Sequence, residues 1–108
     1  MTQQKFPALA QFCGAYFHQD WELEASDALG VIRNYLKEES RTQVQQTIQE
    51  IEQLLSLNLE PAALTNLLES ELNCYYIPPA YGISHSDWLL WVQISLRQGE
   101  VVGKTPFL

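Results

Sequence analysis

The sequence predicts an all-α fold, a bundle of about five helices, on three observations. Apolar residues recur at spacings of three and four in successive stretches, the period of a helix with one buried face. Each stretch opens on proline or a short polar side chain, the residue types that suit a helix start. Alternating apolar and polar runs of strand length are essentially missing. The chain has 108 residues without a repeat, a low-complexity segment or a Gly/Ser/Pro-rich linker, so residues 1–108 are expected to form one domain.

The first helix is expected to start near Phe6-Pro7, where the missing proline N–H costs nothing. Leu9, Phe12, Cys13, Tyr16 and Phe17 follow on one face, and the helix should end in or just after His18-Gln19-Asp20. Ser26 or Asp27 caps a second helix with Ala28, Val31, Ile32, Tyr35 and Leu36 inward. Ser40 opens the third, with Gln43 three residues on as a capping box. Val44, Ile48, Ile51, Leu54 and Leu55 form its stripe. Glu60-Pro61 starts the fourth, with Leu64, Leu67, Leu68 and Leu72 inward and Asn73 as its C-cap. Residues 74–82 contain Pro78-Pro79 and are expected to run extended, pinned by tyrosines. Ser84-His85-Ser86-Asp87 starts the last helix, with Trp88, Leu89, Trp91, Val92 and Leu96, and Gly99 should close it. The tail, residues 100–108, is apolar enough to dock or to form a short strand.

The aromatics are unevenly placed. Eight of the twelve fall in two groups, Tyr16, Phe17 and Trp21 early and Tyr75, Tyr76, Tyr81, Trp88 and Trp91 late, with aliphatic helix between. Such a distribution predicts that the groups meet in space and lock the two ends of the domain together.

Charge bounds function. Thirteen acids against six bases leave a net −7, and no lysine or arginine occurs between Thr42 and Leu96, a stretch with six acids. A surface of that sign repels nucleic acid, whose binding needs phosphates neutralised, and attracts a basic protein instead. No apolar run approaches the roughly 20 residues of a membrane span, and the N-terminus lacks the apolar core of a signal peptide. A cytoplasmic location is the expectation. Cys13 and Cys74 lie in apolar patterning without ligand spacing and read as small buried hydrophobes, a disulfide being the less favoured alternative.

Each histidine precedes an aspartate by two residues, His18-x-Asp20 and His85-x-Asp87, an arrangement that could orient an imidazole in a metal-dependent or His/Asp hydrolase. The companion motifs are missing: no HExxH, no GxSxG, no phosphate-cradling glycine loop and no cysteine pair at zinc spacing. Asp87 is already explained as a capping residue, and His85 is expected at an exposed helix start. His18 is expected to be hydrogen-bonded within the aromatic group. Glu50/Glu52 and Glu69/Glu71 are two apart, do not share a helix face and read as solvated surface rather than as an acid/base pair. No enzyme activity, metal or cofactor is expected.

The two aromatic groups carry a resemblance. Phe12-Cys13-Gly14-Ala15-Tyr16-Phe17-His18-Gln19-Asp20-Trp21 resembles the opening of a family of contact-dependent growth inhibition immunity proteins. Leu72-Asn73-Cys74-Tyr75-Tyr76-Ile77-Pro78-Pro79, then Gly82 and Trp88-Leu89-Leu90-Trp91, is similar to that family's closing pattern, and the spacing between the blocks agrees. The resemblance implies a cytoplasmic antitoxin that binds the C-terminal toxin domain of a neighbouring bacterium's surface filament protein. Such toxins are often nucleases with basic clefts, which an acidic domain can occlude. A 1:1 complex is expected, and a monomer when free. The shared string of Tyr16, Phe17, His18, Asp20, Trp21, Trp88 and Trp91 is expected to hold the fold. The toxin-binding surface is expected on Glu50, Glu52, Glu69 and Glu71, with Tyr75 or Tyr81 as aromatic anchors.

Overall fold

The structure, a computed structural model, describes residues 5–102, with side chains described as far as Gly99. Five α-helices follow one another among the described residues: α1 (Pro7–Tyr16), α2 (Ala28–Glu38), α3 (Arg41–Ser56), α4 (Pro61–Asn66) and α5 (His85–Val102). They form one all-α bundle without a strand among these residues. Helices α3 and α5 make the main pair, α1 packs on α3, and α2 and α4 pack on α5.

Most helix starts use the residues their chemistry favours. The Asp27 carboxylate accepts the Gly30 N–H at 2.8 Å, and Ser40 Oγ accepts the Gln43 N–H at 3.1 Å. Gln43 does not complete a reciprocal box, because its side-chain amide donates across to Gln11 on α1. Ser84 Oγ accepts the Asp87 N–H at 3.1 Å and opens α5.

Helix α1 differs. Its N-cap, Phe6, offers no side-chain acceptor. The acceptor arrives from α3 instead: the Glu50 carboxylate takes the Leu9 N–H at 2.9 Å and the Gln46 amide at 3.0 Å. A carboxylate on the free N–H groups of a helix start satisfies them and opposes the helix dipole. Glu50 is consequently only 1% exposed.

Four local expectations need correction. Helix α1 ends at Tyr16, before the His18-Gln19-Asp20 stretch, because Phe17 leaves helical geometry and turns its ring into the core. After α4 the chain widens into a five-residue turn, Leu67–Glu71, where the Leu72 N–H donates to Leu67 O at 2.9 Å. Asn73 then adopts a positive φ of 57° and the Cys74 N–H donates to Leu68 O, a left-handed C-cap. Residues 74–77 are extended as expected, but Pro78–Tyr81 is a 3₁₀ turn capped by Gly82 at φ 80°. Two prolines at its start preset the helical φ. Lastly, Gly99 does not end α5, which continues to Val102; Gly99 is buried, and a side chain there would collide with Leu36 of α2. Of the tail, residues 103–108 lie outside the described residues.

The core joins the two aromatic groups. The Phe17 ring is fully buried and makes edge contacts with Phe12, Trp21 and Trp88 at 5.4–5.8 Å, with Tyr76 tilted on it at 5.2 Å. The Tyr75 N–H donates to Phe17 O at 2.9 Å, so backbone as well as rings ties the early group to the late one. Edge-to-face pairs contribute roughly 0.5–1.5 kcal/mol each beyond the area they bury. Cys13 and Cys74 are both buried free thiols at this junction, and the Cys74 thiol donates to Tyr76 O. A hydrogen bond to Cys74, reinforced by burial, pushes the Cys13 thiol well above its ordinary pKa, which leaves it protonated and inert.

Candidate functional site

Residues 71–79 show what the surface offers. Their burial alternates strictly: Leu72, Cys74, Tyr76 and Pro78 point inward, while Glu71, Asn73, Tyr75, Ile77 and Pro79 are exposed. Over the extended residues 74–77 successive side chains go to opposite sides, and the wide turn before them and the 3₁₀ turn after them continue the alternation. An acid, an amide, an aromatic and an aliphatic residue therefore line the outer side of one segment. Tyr75 and Tyr81 are 54% and 56% exposed, with Ile77 between them also exposed.

Beside this segment lies a concavity of about 340 Å³ between the starts of α2 and α5. Asp27 and Leu29 line one side, Ile83, Trp88 and Trp91 the other, and Tyr76 and Tyr81 complete the wall. The tyrosines are stacked, with ring centres 4.9 Å apart and planes 3° from parallel; Tyr76 in turn stacks on Trp88 at 5.2 Å. Trp91 is only half-buried and faces this space, whereas Trp88 is core. Helical spacing suggested that both tryptophans were core, and it could not separate them because Trp91 sits at the edge of the stripe.

The acids expected at an interface do not share one environment. Glu50 is withdrawn from the surface altogether by its role at the start of α1. Its burial contradicts the solvated surface position expected for it. Glu52 is exposed and lies 3.9 Å from Arg97 on α5, a loose surface pair. Glu69 and Glu71 are exposed on the wide turn and lead directly into the alternating segment.

Neither His-x-Asp string forms a His–Asp pair. His18 Nδ1 accepts the Asp20 backbone N–H at 3.0 Å, and the carboxylate at its Nε2 is that of Glu24, at 3.2 Å. The string makes a turn: the Trp21 N–H donates to His18 O and the Leu23 N–H to Asp20 O, which swings Trp21 under Phe17. His18 is half-exposed at the margin of the aromatic group rather than inside it.

His85 is buried, 8% exposed, contrary to the exposed start expected, because α4 covers it and Thr65 Oγ1 lies 3.2 Å from its Nδ1. Its nearest carboxylate is Glu69, at 3.8 Å, not Asp87. Burial lowers the pKa of His85, with Glu69 acting weakly in the opposite direction. The two histidines share no partner, and among the described residues no three His, Cys, Asp or Glu side chains converge as metal ligands. The arrangement offers a rigid, acid-rimmed aromatic surface rather than a general acid and base facing a common cleft.

The sequence model of the CdiI immunity protein family matches residues 5–96. This chain belongs to that family. Among solved structures, a chain of the crystal structure of a CdiA-CT/CdiI complex from Y. kristensenii 33638 is 30% identical to this CdiI-family chain. The match covers 84% of the present chain and 97% of that one, with a TM-score of 0.80. No curated protein matches. The matched region takes in both aromatic groups and ends at Leu96 on α5, so the lock around Phe17 lies wholly inside it. No helix among the described residues is long and apolar enough to cross a membrane.

Proposed function

We propose that this CdiI-family chain is a cytoplasmic, non-catalytic immunity protein that binds and neutralises its cognate CdiA-CT toxin domain in a 1:1 complex. The observation that carries this reading is the likeness, over nearly the whole of the matched chain, to a structure described as a CdiA-CT/CdiI complex. The charge pattern extends it. With net charge −7 and no base from Thr42 to Leu96, the chain suits a basic partner, and a toxin that handles nucleic acid is basic where phosphates bind. We therefore assign the toxin as a nuclease whose cleft is occluded by the acidic side of this domain. Glu52, Glu69 and Glu71 supply the field, and Tyr75 and Tyr81 supply anchors of the kind that dominate interface energy.

The test is reconstitution with the cognate CdiA-CT domain. The two should co-elute at one-to-one stoichiometry, and the toxin's degradation of RNA or DNA should stop when the chain is added in equal amount. Failure to associate overturns the immunity reading. Association with a toxin that degrades no nucleic acid overturns only the nuclease assignment.

A further inference from the structure

The concavity under Tyr81 combines two features that select one kind of side chain. Its wall is a stack of rings, Tyr81 on Tyr76 on Trp88, already in register, with Trp91 nearby. Ring faces carry negative partial charge and attract cations; both faces of Tyr76 are covered within the stack, so the face left for a cation is the outer one of Tyr81, which is 56% exposed. On its rim stands Asp27, whose Oδ1 accepts the Gly30 N–H and so fixes the carboxylate in place. Asp27, Tyr76 and Tyr81 line the same concavity, which puts that charge at the edge of the ring stack.

Resting on the immunity reading, we infer that this concavity seats an arginine side chain of the toxin domain. The guanidinium is planar, stacks on aromatic faces and matches a carboxylate in a bidentate pair, while its alkyl stem suits Leu29 and Ile83. An aliphatic or aromatic occupant fills the same space but covers the Asp27 carboxylate without pairing it, which costs free energy. A lysine offers a compact ammonium that stacks less well. The start of α2 adds only about half a positive charge, which the full charge of Asp27 outweighs. The stretch without lysine or arginine includes Tyr76, Tyr81, Ile83, Trp88 and Trp91, so no base of its own competes for the seat from that side. Because the rings are stacked beforehand, little side-chain freedom is lost when the seat is filled.

Calorimetric titration of the full chain with its CdiA-CT domain tests the seat. Tyr81→Ala should raise the dissociation constant by about 10-fold or more, and Tyr81→Phe by less than about 3-fold. Asp27→Asn keeps the α2 cap, since asparagine caps as well as aspartate, and should weaken binding by about 10-fold with a shallower salt dependence. Unchanged melting of the free variants shows that the fold is intact. If the wild-type chain binds and both Tyr81→Ala and Asp27→Asn bind equally well, the arginine seat is overturned and the immunity reading stands. If Tyr81→Ala weakens binding and Asp27→Asn does not, the occupant is apolar and the arginine assignment falls. A wild-type chain without affinity for the toxin domain overturns the immunity reading itself.

Discussion

Two acids twenty-one residues apart, Glu50 and Glu71, show how differently the two sides of this domain use the same chemistry. Glu50 is sealed between α1 and α3, where it accepts two hydrogen bonds and completes a helix that has no cap of its own. Glu71 is exposed at the head of the alternating segment, followed on the same outer side by Asn73, Tyr75 and Ile77. The first region holds the fold, and the second is part of the surface we propose for the toxin. The aromatic lock around Phe17 stands between them: its ring packs on Tyr76 and its carbonyl accepts the Tyr75 N–H, which braces that segment from the inside. A recognition surface carried by a braced segment loses less entropy on binding than a free loop does.

Breaking the lock should have the largest effect. Phe17→Ala removes a fully buried ring shared by four aromatic neighbours and should cost about 3–5 kcal/mol of unfolding free energy in urea titration. Because it also loosens the late segment, it should weaken toxin binding at temperatures where the chain is still folded. A Phe17→Ala chain as stable as the wild type would mean that the two aromatic groups do not hold the domain.

Next comes the buried acid. Glu50→Ala strips the Leu9 N–H of its acceptor and should destabilise the chain by about 1–3 kcal/mol, while the residual folded protein binds toxin normally. Loss of binding without loss of stability would instead place Glu50 at the interface and collapse the contrast. The exposed acids should show the reverse. The Glu69→Lys, Glu71→Lys double variant should unfold within about 0.5 kcal/mol of the wild type, yet associate several-fold more slowly with the toxin domain at low salt and show a weaker salt dependence in stopped-flow measurements.

The smallest effect is read in pH. His85 has a folded pKa below its unfolded value, so the unfolded chain binds the proton more readily. Stability contributed by neutral His85 is then full above the ordinary histidine pKa of about 6.5 and is lost as pH falls below it toward the depressed folded value. Melting curves at pH 7.5 and 5.5 should differ more for the wild type than for His85→Gln; equal differences would show that the burial of His85 is without consequence for its titration.

The family resemblance, the all-α class and all five helix starts, Phe6-Pro7 of α1 included, were legible in the sequence because each depends on neighbours in the chain. Asp27, Ser40 and Ser84 accept N–H groups three residues ahead, and no distant partner is needed to see it. Pro61 likewise marks the start of α4. The site was less legible. An acid two residues from another acid reads as surface, and nothing local marks Glu50 as the cap of a helix 41 positions earlier. His18 and His85 looked paired with Asp20 and Asp87, yet turn geometry and the cover of α4 give them Glu24, Thr65 and Glu69 instead.

What the sequence determined by itself is therefore the local repertoire: periodicity, caps, the aromatic grouping and a negative charge without bases through its middle. Tertiary structure alone decided which acid is buried, which tryptophan edges a concavity, and that Asp27 stands beside Tyr76 and Tyr81. The physical reason is that helix formation is governed by residues three or four apart, whereas desolvation and ring stacking depend on groups the chain brings together only when it folds.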